Sequence, residues 1–374
     1  MNTILADENI PLVQDAFNDF GRVRTINGRK LTNVDLNDTN ILLVRSVTQV
    51  DDKLLTDSSV DFVGTATIGF DHVDLDYLQQ HKIGFANAPG SNATAAAEYV
   101  ISALLVLAEQ KNFKLKDKTV GIIGCGNVGS RVLQKLTALN VQCIIHDPLI
   151  QNPDYVDLNT VLTADIITLH VPLRDGNYPT YHLVNSKFLA NLKDNTILIN
   201  TSRGKVVDEI ALLKTSMARP DITIVLDVWN NEPRINKLLL QQVFLATPHI
   251  AGYSLDGKIR GTEMLYAKIC EHFQYEPTWQ PNILPAPVTK LEFSNAIDDD
   301  VAIHTAVMAC YDIRRDDATL RQTNVNFDNL RKNYPLRREF NQLTIQLPKN
   351  KTILANSLQG LGFNLITDVA QRDY

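Results

Sequence analysis

An α/β protein built on parallel, doubly wound sheets is predicted by three features of this 374-residue chain. Short apolar runs alternate with longer stretches of helical periodicity, the pattern of βαβ units. The alternation occurs twice, over residues 3–87 and 119–246, on either side of an apolar run at 93–108. Beyond Pro277, Pro281, Pro285 and Pro287 the composition changes again, so the prolines read as a linker to a third region. The length suits two or three domains.

In the first series, residues 3–6, 41–44, 62–65 and 84–87 read as strands, and 11–20 and 71–80 as helices. After the Pro89-Gly90 break one long helix is predicted over 92–110, with Asn92 or Thr94 as its cap. Glu98 and the many alanines mark it as a buried helix rather than a membrane span. The second series places strands at 119–123, 142–146, 166–170, 196–200 and 222–227, with a short one at 244–246. A helix over 257–275 follows and is expected to return to the first domain. The third region holds a helix near 302–311, a charged stretch over 314–339, and strand-like runs at 343–347 and 363–366.

Composition narrows the function. Hydrophobic residues at 44% and charged residues at 21% are ordinary for a globular chain. A net charge of −6 argues against nucleic-acid binding, which needs a basic face. The four cysteines are scattered with no C-x-x-C pair, so neither a zinc site nor a disulfide framework is expected, and no metal. Reduced thiols fit a cytoplasmic protein. The N-terminus carries Asp7 and Glu8 and no basic stretch, unlike a signal peptide.

Residues 119–130 contain Gly124-Cys125-Gly126-Asn127-Val128-Gly129 directly after a strand and before a helical pattern over 130–140. That is the setting a dinucleotide fingerprint requires. Gly124 serves the tight turn, Gly126 lets a pyrophosphate approach the backbone, and Gly129 lets helix and strand pack closely. The helix start offers unpaired N–H groups and a positive dipole end to the anion. Asp147 ends the next strand, 147 − 129 = 18 residues past the last glycine. A carboxylate there accepts from ribose hydroxyls and repels a 2′-phosphate, which favours NAD over NADP.

Three further strand ends carry chemistry: Thr201-Ser202-Arg203-Gly204, Asp227 through Glu232-Pro233, and Pro248-His249-Ile250-Ala251-Gly252. Ligands of open α/β sheets bind beyond the carboxyl ends of the strands, so Arg203, Glu232 and His249 are expected in one crevice. Oxidising a 2-hydroxy acid needs a base for the hydroxyl proton while hydride leaves the same carbon. Histidine suits that exchange. A neighbouring carboxylate orients the ring and stabilises its cation. Arginine grips a substrate carboxylate in two-point fashion.

These segments, together with Gly124 to Gly129, resemble the D-isomer-specific 2-hydroxyacid dehydrogenase family. Val44-Arg45-Ser46-Val47-Thr48, the run from Gly64 to Asp74, and tail segments 311–318 and 327–339 resemble a branch of it with a C-terminal extension. The resemblance implies an NAD-binding Rossmann domain (93–252) inserted in a flavodoxin-like substrate domain (1–92 and 253–280). It also implies a C-terminal α+β dimerisation domain (286–374). Arg203, Glu232 and His249 become the catalytic set. Gly124, Gly126, Asn127, Val128, Gly129, Asp147, Val171, Thr201, Ser202, Arg203, Asp227 and Gly252 line the cofactor, and Ser46, Thr67 and Tyr253 touch substrate. A small phosphorylated 2-hydroxy acid, a 2-oxo acid acceptor and a homodimer are implied as partners.

A substrate phosphate calls for guanidinium and hydroxyl donors. Arg45, Ser46, Thr65 and Thr67 are candidates, and so is the tail's basic cluster of Arg314, Arg315, Arg331, Lys332, Arg337 and Arg338. Arg337 and Arg338 are the two singled out for test; the alternative is that tail cations pair with Asp312, Asp316, Asp317 and Glu339. Two other functions compete: a dehydrogenase for another 2-hydroxy acid such as 3-phosphoglycerate, and a non-catalytic NAD-sensing protein of the same fold.

Overall fold

The computed structural model describes residues 2–322 and 326–367 and divides into two compact units. The first comprises Met1–Asn92 and Ser254–Leu284; the second comprises Ala93–Tyr253 and Pro285–Tyr374.

The first unit carries five parallel strands, β1 (Asn2–Asp7), β2 (Gly21–Ile26), β3 (Ile41–Val44), β4 (Phe62–Thr65) and β5 (Gly84–Asn87). They lie in the order β2-β1-β3-β4-β5, the flavodoxin-like arrangement with its switch between β1 and β3. The helix expected over 11–20 forms only at Val13–Phe17, because Leu12 enters in the left-handed region at φ 54° and the chain must turn into β2. The sequence reading missed β2, an edge strand whose two arginines weakened its apolar signal. The helix expected over 71–80 starts at Leu75, where the Asp74 carboxylate accepts from the Tyr77 N–H at 2.9 Å and fixes the cap. Helix Leu255–Phe273 packs Leu265, Tyr266, Ile269 and Cys270 against Ile4, Ile41, Leu43 and Phe62.

In the second unit six parallel strands run β6 (Thr119–Ile123), β7 (Gln142–His146), β8 (Ile166–Leu169), β9 (Ile197–Asn200), β10 (Thr223–Leu226) and β11 (Leu245–Ala246). Their order is β11-β10-β9-β8-β6-β7, so the switch point lies between β6 and β8. Helix Ala93–Gln110 is long and apolar enough to cross a membrane. Its Tyr99, Val100, Leu104 and Leu107 are instead buried in one core with Ile122, Val132 and Leu136. Each such side chain contributes about 1.5–3 kcal/mol by burial.

The tail adds a parallel three-stranded sheet, β12 (Lys290–Glu292), β13 (Thr344–Leu347) and β14 (Asn364–Thr367), in that order. Ala302, Ala306, Phe340, Leu358 and Phe363 join the core of helix Ala93–Gln110, so the tail folds against the second unit. β12 and helix Thr352–Leu361 were not foreseen. The described part of the charged stretch over 314–339 resolves into helices Ile313–Leu320 and Phe327–Lys332 and an irregular run at 333–339, while residues 323–325 and 368–374 lie outside the described residues. All four cysteines are free.

Candidate active site

The phosphate-cradling loop leaves β6 at the switch point. Gly124 takes φ +87°, and a Cβ there would press on the His170 carbonyl at 3.0 Å and Val171 Cγ1 at 2.8 Å. A Cβ on Gly129 would sit 2.0 Å from the Gly124 carbonyl oxygen, so glycine is required for the helix to meet the strand end. Gly126 is different, because nothing lies within 4 Å of the Cβ it lacks. It is the N-cap of helix Asn127–Ala138, which starts three residues before the expected 130 and has no side-chain cap bond. Gly126 and Asn127 are exposed and Val128 is half-buried. Uncapped N–H groups facing open space fit a pyrophosphate.

Asp147 follows β7 and draws the loop inward: its carboxylate accepts from the Cys125 N–H at 2.8 Å and the Leu149 N–H at 3.0 Å. The residues therefore fit a dinucleotide. Gly126→Ala is expected to weaken NAD binding by about tenfold or more. The melting temperature of the cofactor-free protein should stay within about 3 °C of the native value, because the added methyl meets no chain atom. Unchanged NAD affinity by titration would place the pyrophosphate elsewhere.

Arg203, Glu232 and His249 follow the neighbouring strands β9, β10 and β11. His249 Nδ1 lies 2.7 Å from Glu232 Oε2, and Glu232 Oε1 accepts from the Trp229 N–H at 2.9 Å. With Nδ1–H donated to the carboxylate, Nε2 is the ring nitrogen that Glu232 does not engage. Burial pushes the Glu232 carboxyl up, but the His249 charge, the His249 hydrogen bond and the Trp229 N–H outweigh it and hold the group below its ordinary value. Arg203 is half-buried, and its Nη1 donates to the Ser202 carbonyl at 2.9 Å.

His249 itself stands at φ 57°, a left-handed conformation that costs a non-glycine residue about 1–3 kcal/mol. Asp227 overcomes that cost. Its carbonyl accepts from the His249 N–H at 2.7 Å. Its buried carboxylate accepts from Thr247 Oγ1 and the Ile250 N–H, both at 2.7 Å, and from the Ala251 N–H at 3.0 Å. Burial raises the Asp227 carboxyl above its ordinary value against the pull of His249 and these donors. Sequence reasoning assigned Asp227 to the cofactor; here its carboxylate and carbonyl hold the turn that presents His249. Gly252 and Tyr253 follow directly, both half-buried.

The turn after β9 is held by Asn200, whose Oδ1 accepts from the Ser202 N–H at 3.0 Å and from Ser202 Oγ at 2.7 Å. Thr201 Oγ1 pairs with His170 Nδ1 at 3.1 Å, and His170 Nε2 pairs with Thr168 Oγ1 at 3.0 Å. Burial drives the His170 imidazole down to about 3, so it is neutral near pH 7 and acts as a fixed hydrogen-bonding brace. The sequence reading overlooked His170, although its position at the end of β8, beside the switch point, was a usable signal.

Within the first unit, Ser46 and Thr67 follow the adjacent strands β3 and β4, which pair Val44 with Thr65. Ser46 is exposed. Thr67 Oγ1 is 2.7 Å from Thr65 Oγ1 and donates to the Gly69 carbonyl at 2.8 Å. In the second unit the tail cations separate. Arg314 pairs with Asp312 at 2.8 Å and Glu109 at 3.1 Å. Arg337 and Arg338, singled out for substrate, are 5% and 7% exposed and face inward. Arg337 donates to the carbonyls of Ala251 at 3.0 Å and Ala95 at 2.6 Å, and Arg338 to Gln342 Oε1 at 2.8 Å. That expectation is corrected: both side chains are buried, the Arg337 guanidinium joins the tail to Ala95 and to the turn after His249, and Arg338 bonds within the tail.

Comparison with known proteins agrees with this geometry. Residues 102–251 match the family model of the D-isomer specific 2-hydroxyacid dehydrogenase NAD binding domain, and residues 283–362 match a domain of unknown function. The chain is 46% identical to an erythronate-4-phosphate dehydrogenase of Hahella chejuensis, over 97% of this chain and 99% of that protein. It is 44% identical to one of Proteus mirabilis, over 96% and 98%. Among solved structures, NAD+-bound 3-phosphoglycerate dehydrogenase of Entamoeba histolytica aligns at TM-score 0.64 and 26% identity, over 73% of this chain and 95% of that one. The D-lactate dehydrogenase of Aquifex aeolicus shares the fold at TM-score 0.60 and 24% identity, over 73% and 96%. An NAD-binding domain that presents a carboxylate-paired histidine, with relatives matched from end to end, places this chain in the D-isomer-specific 2-hydroxyacid dehydrogenase family, among its erythronate-4-phosphate dehydrogenases.

Proposed function

We propose that this chain oxidises erythronate 4-phosphate at C2 to the 2-oxo acid, a step of pyridoxal 5′-phosphate synthesis, with Arg203, Glu232 and His249 as its catalytic residues. The observation that carries the chemistry is the 2.7 Å contact between His249 Nδ1 and Glu232 Oε2 at the strand ends of an NAD-binding domain. Bound NAD supplies the hydride acceptor. His249 Nε2 takes the C2 hydroxyl proton as hydride leaves the same carbon, and Glu232 stabilises the resulting imidazolium. Arg203 grips the substrate carboxylate beside the reacting carbon. Ser46, Thr67 and Tyr253 hold the remaining hydroxyls, and Asp147 takes the adenosine ribose.

The substrate follows from relatives that match the chain over nearly its whole length, tail included. We further propose that the tail pairs two copies of the chain. Val301, Leu336 and Ile353, all more than half exposed, leave apolar surface there for a second copy to cover. The test supplies purified protein with erythronate 4-phosphate, NAD and a 2-oxo acid as terminal acceptor. Turnover should exceed that on 3-phosphoglycerate by at least about a hundredfold in kcat/KM. The active species should sediment as two chains. Preference for 3-phosphoglycerate would overturn the substrate, and full activity of a monomer would overturn the pairing.

A further inference from the structure

Arg331, a tail cation, keeps a buried nitrogen that the fold does not pair. Helix Phe327–Lys332 is anchored by Phe327, which is 5% exposed, and by Leu330, both packed on the core of Leu226, Trp229 and Ala246. Arg331, one position beyond Leu330, turns toward the turn that follows His249. Its guanidinium carbon lies 5.6 Å from the centre of the Tyr253 ring, and the group donates to the Tyr253 hydroxyl. Arg331 is close enough to Glu232 that its charge helps hold that carboxyl ionised. Yet the buried Nε of Arg331 has no hydrogen-bond partner. Among the described residues no carboxylate forms an ion pair with it.

A half-buried guanidinium with an unpartnered Nε and no carboxylate in ion-pair contact among the described residues, beside the catalytic histidine–glutamate pair, is a site for an oxyanion. We propose that Arg331 binds the substrate's phosphate group, an inference that rests on the reading of the substrate as a phosphorylated 2-hydroxy acid. Three considerations choose the phosphate over the carboxylate. Arg203 already serves the carboxylate, which every 2-hydroxy acid carries. Arg331 comes from the region at 283–362, outside the matched NAD-binding domain, so it adds a contact to a site already complete for the common chemistry. A 4-phosphate also stands two carbons beyond the reacting C2, so its contact belongs next to the histidine turn rather than on it. Tyr253, fixed on one side by Arg331 and on the other by an edge contact with Tyr334 at 5.7 Å, then acts as the platform that aims the guanidinium.

Arg331→Met and Arg331→Lys test the assignment in the full-length protein. The first readout is the rise in melting temperature produced by inorganic phosphate in the presence of NADH. It should be present in the native protein, absent in Arg331→Met and partly restored in Arg331→Lys. The second is steady-state oxidation of erythronate 4-phosphate against unphosphorylated erythronate. Arg331→Met should raise KM for the phosphorylated substrate by about tenfold or more and leave kcat within about threefold, while kcat/KM for erythronate falls by no more than about threefold. Equal losses on both substrates would mean that Arg331 acts through Glu232 or Tyr253 and would overturn the proposal. So would an undiminished phosphate effect in Arg331→Met. If the native protein fails to turn over erythronate 4-phosphate at all, the substrate reading falls, and the phosphate-induced shift still decides what Arg331 binds.

Discussion

Replacing His249 by Asn is expected to lower kcat by a factor of about 10² to 10⁴, the usual share of a positioned general acid–base, and to leave NAD binding intact. Asparagine is the informative choice for two structural reasons. The residue stands at φ 57°, and after glycine asparagine tolerates that region best, so the turn survives the exchange. Its amide also retains a donor for Glu232, which now accepts from His249 Nδ1 at 2.7 Å. What disappears is the ring nitrogen proposed to take the hydroxyl proton. Melting temperature and NAD titration should match the native protein while turnover collapses. Activity within tenfold of native would show that another group accepts the proton; loss of NAD together with activity would show that the turn had been disturbed instead. A non-catalytic NAD-sensing protein would have no turnover to lose.

Much of this site was legible because its chemistry is announced locally. A glycine loop between strand and helix needs only neighbouring residues to be recognised, and strand ends place Arg203, Glu232 and His249 without knowledge of the packing. What escaped the sequence is of two kinds. β2 was hidden because Arg22 and Arg24 interrupt an edge strand that pairs on one side only. His170 and the orienting work of Asp227 escaped because they act through other residues: His170 braces Thr201 across 31 positions, and the Asp227 carboxylate holds backbone N–H groups more than twenty residues away. No spacing rule encodes such contacts. The tail failed for a third reason. Arg331 and Arg337 share one basic run, but the chain between Lys332 and Phe340 is irregular, so no period relates the facing of one to the other. Composition marked the cluster, and only the fold separates a cation aimed at the site from one locked inside.

That separation yields the second large expected effect. Arg337→Met should destabilise the protein by about 3–5 kcal/mol, the cost of removing one member of a buried charged network. Its guanidinium lies 3.7 Å above the centre of the Tyr311 ring and bonds the carbonyls of Ala251 and Ala95. Methionine fills similar volume but removes the side-chain donor from both carbonyls, and a buried group left unsatisfied costs about 1–3 kcal/mol. The nearby carboxyls of Glu98 and Asp316, which burial pushes upward in pKa, also lose a cation that favours their ionised form. At about 2–4 °C per kcal/mol for a domain of this size, the melting temperature should fall by at least about 6 °C. Arg337→Lys should recover little of it, because an ammonium cannot span two carbonyls in the planar fork that guanidinium provides. The change also reaches the site, since Ala251 belongs to the turn that Asp227 ties to His249. NAD-dependent turnover should therefore fall with temperature earlier than in the native protein, while KM measured well below the transition stays close to native. A melting temperature within about 2 °C of native, with KM for the phosphorylated substrate raised, would return Arg337 to the substrate and take the structural role away from it.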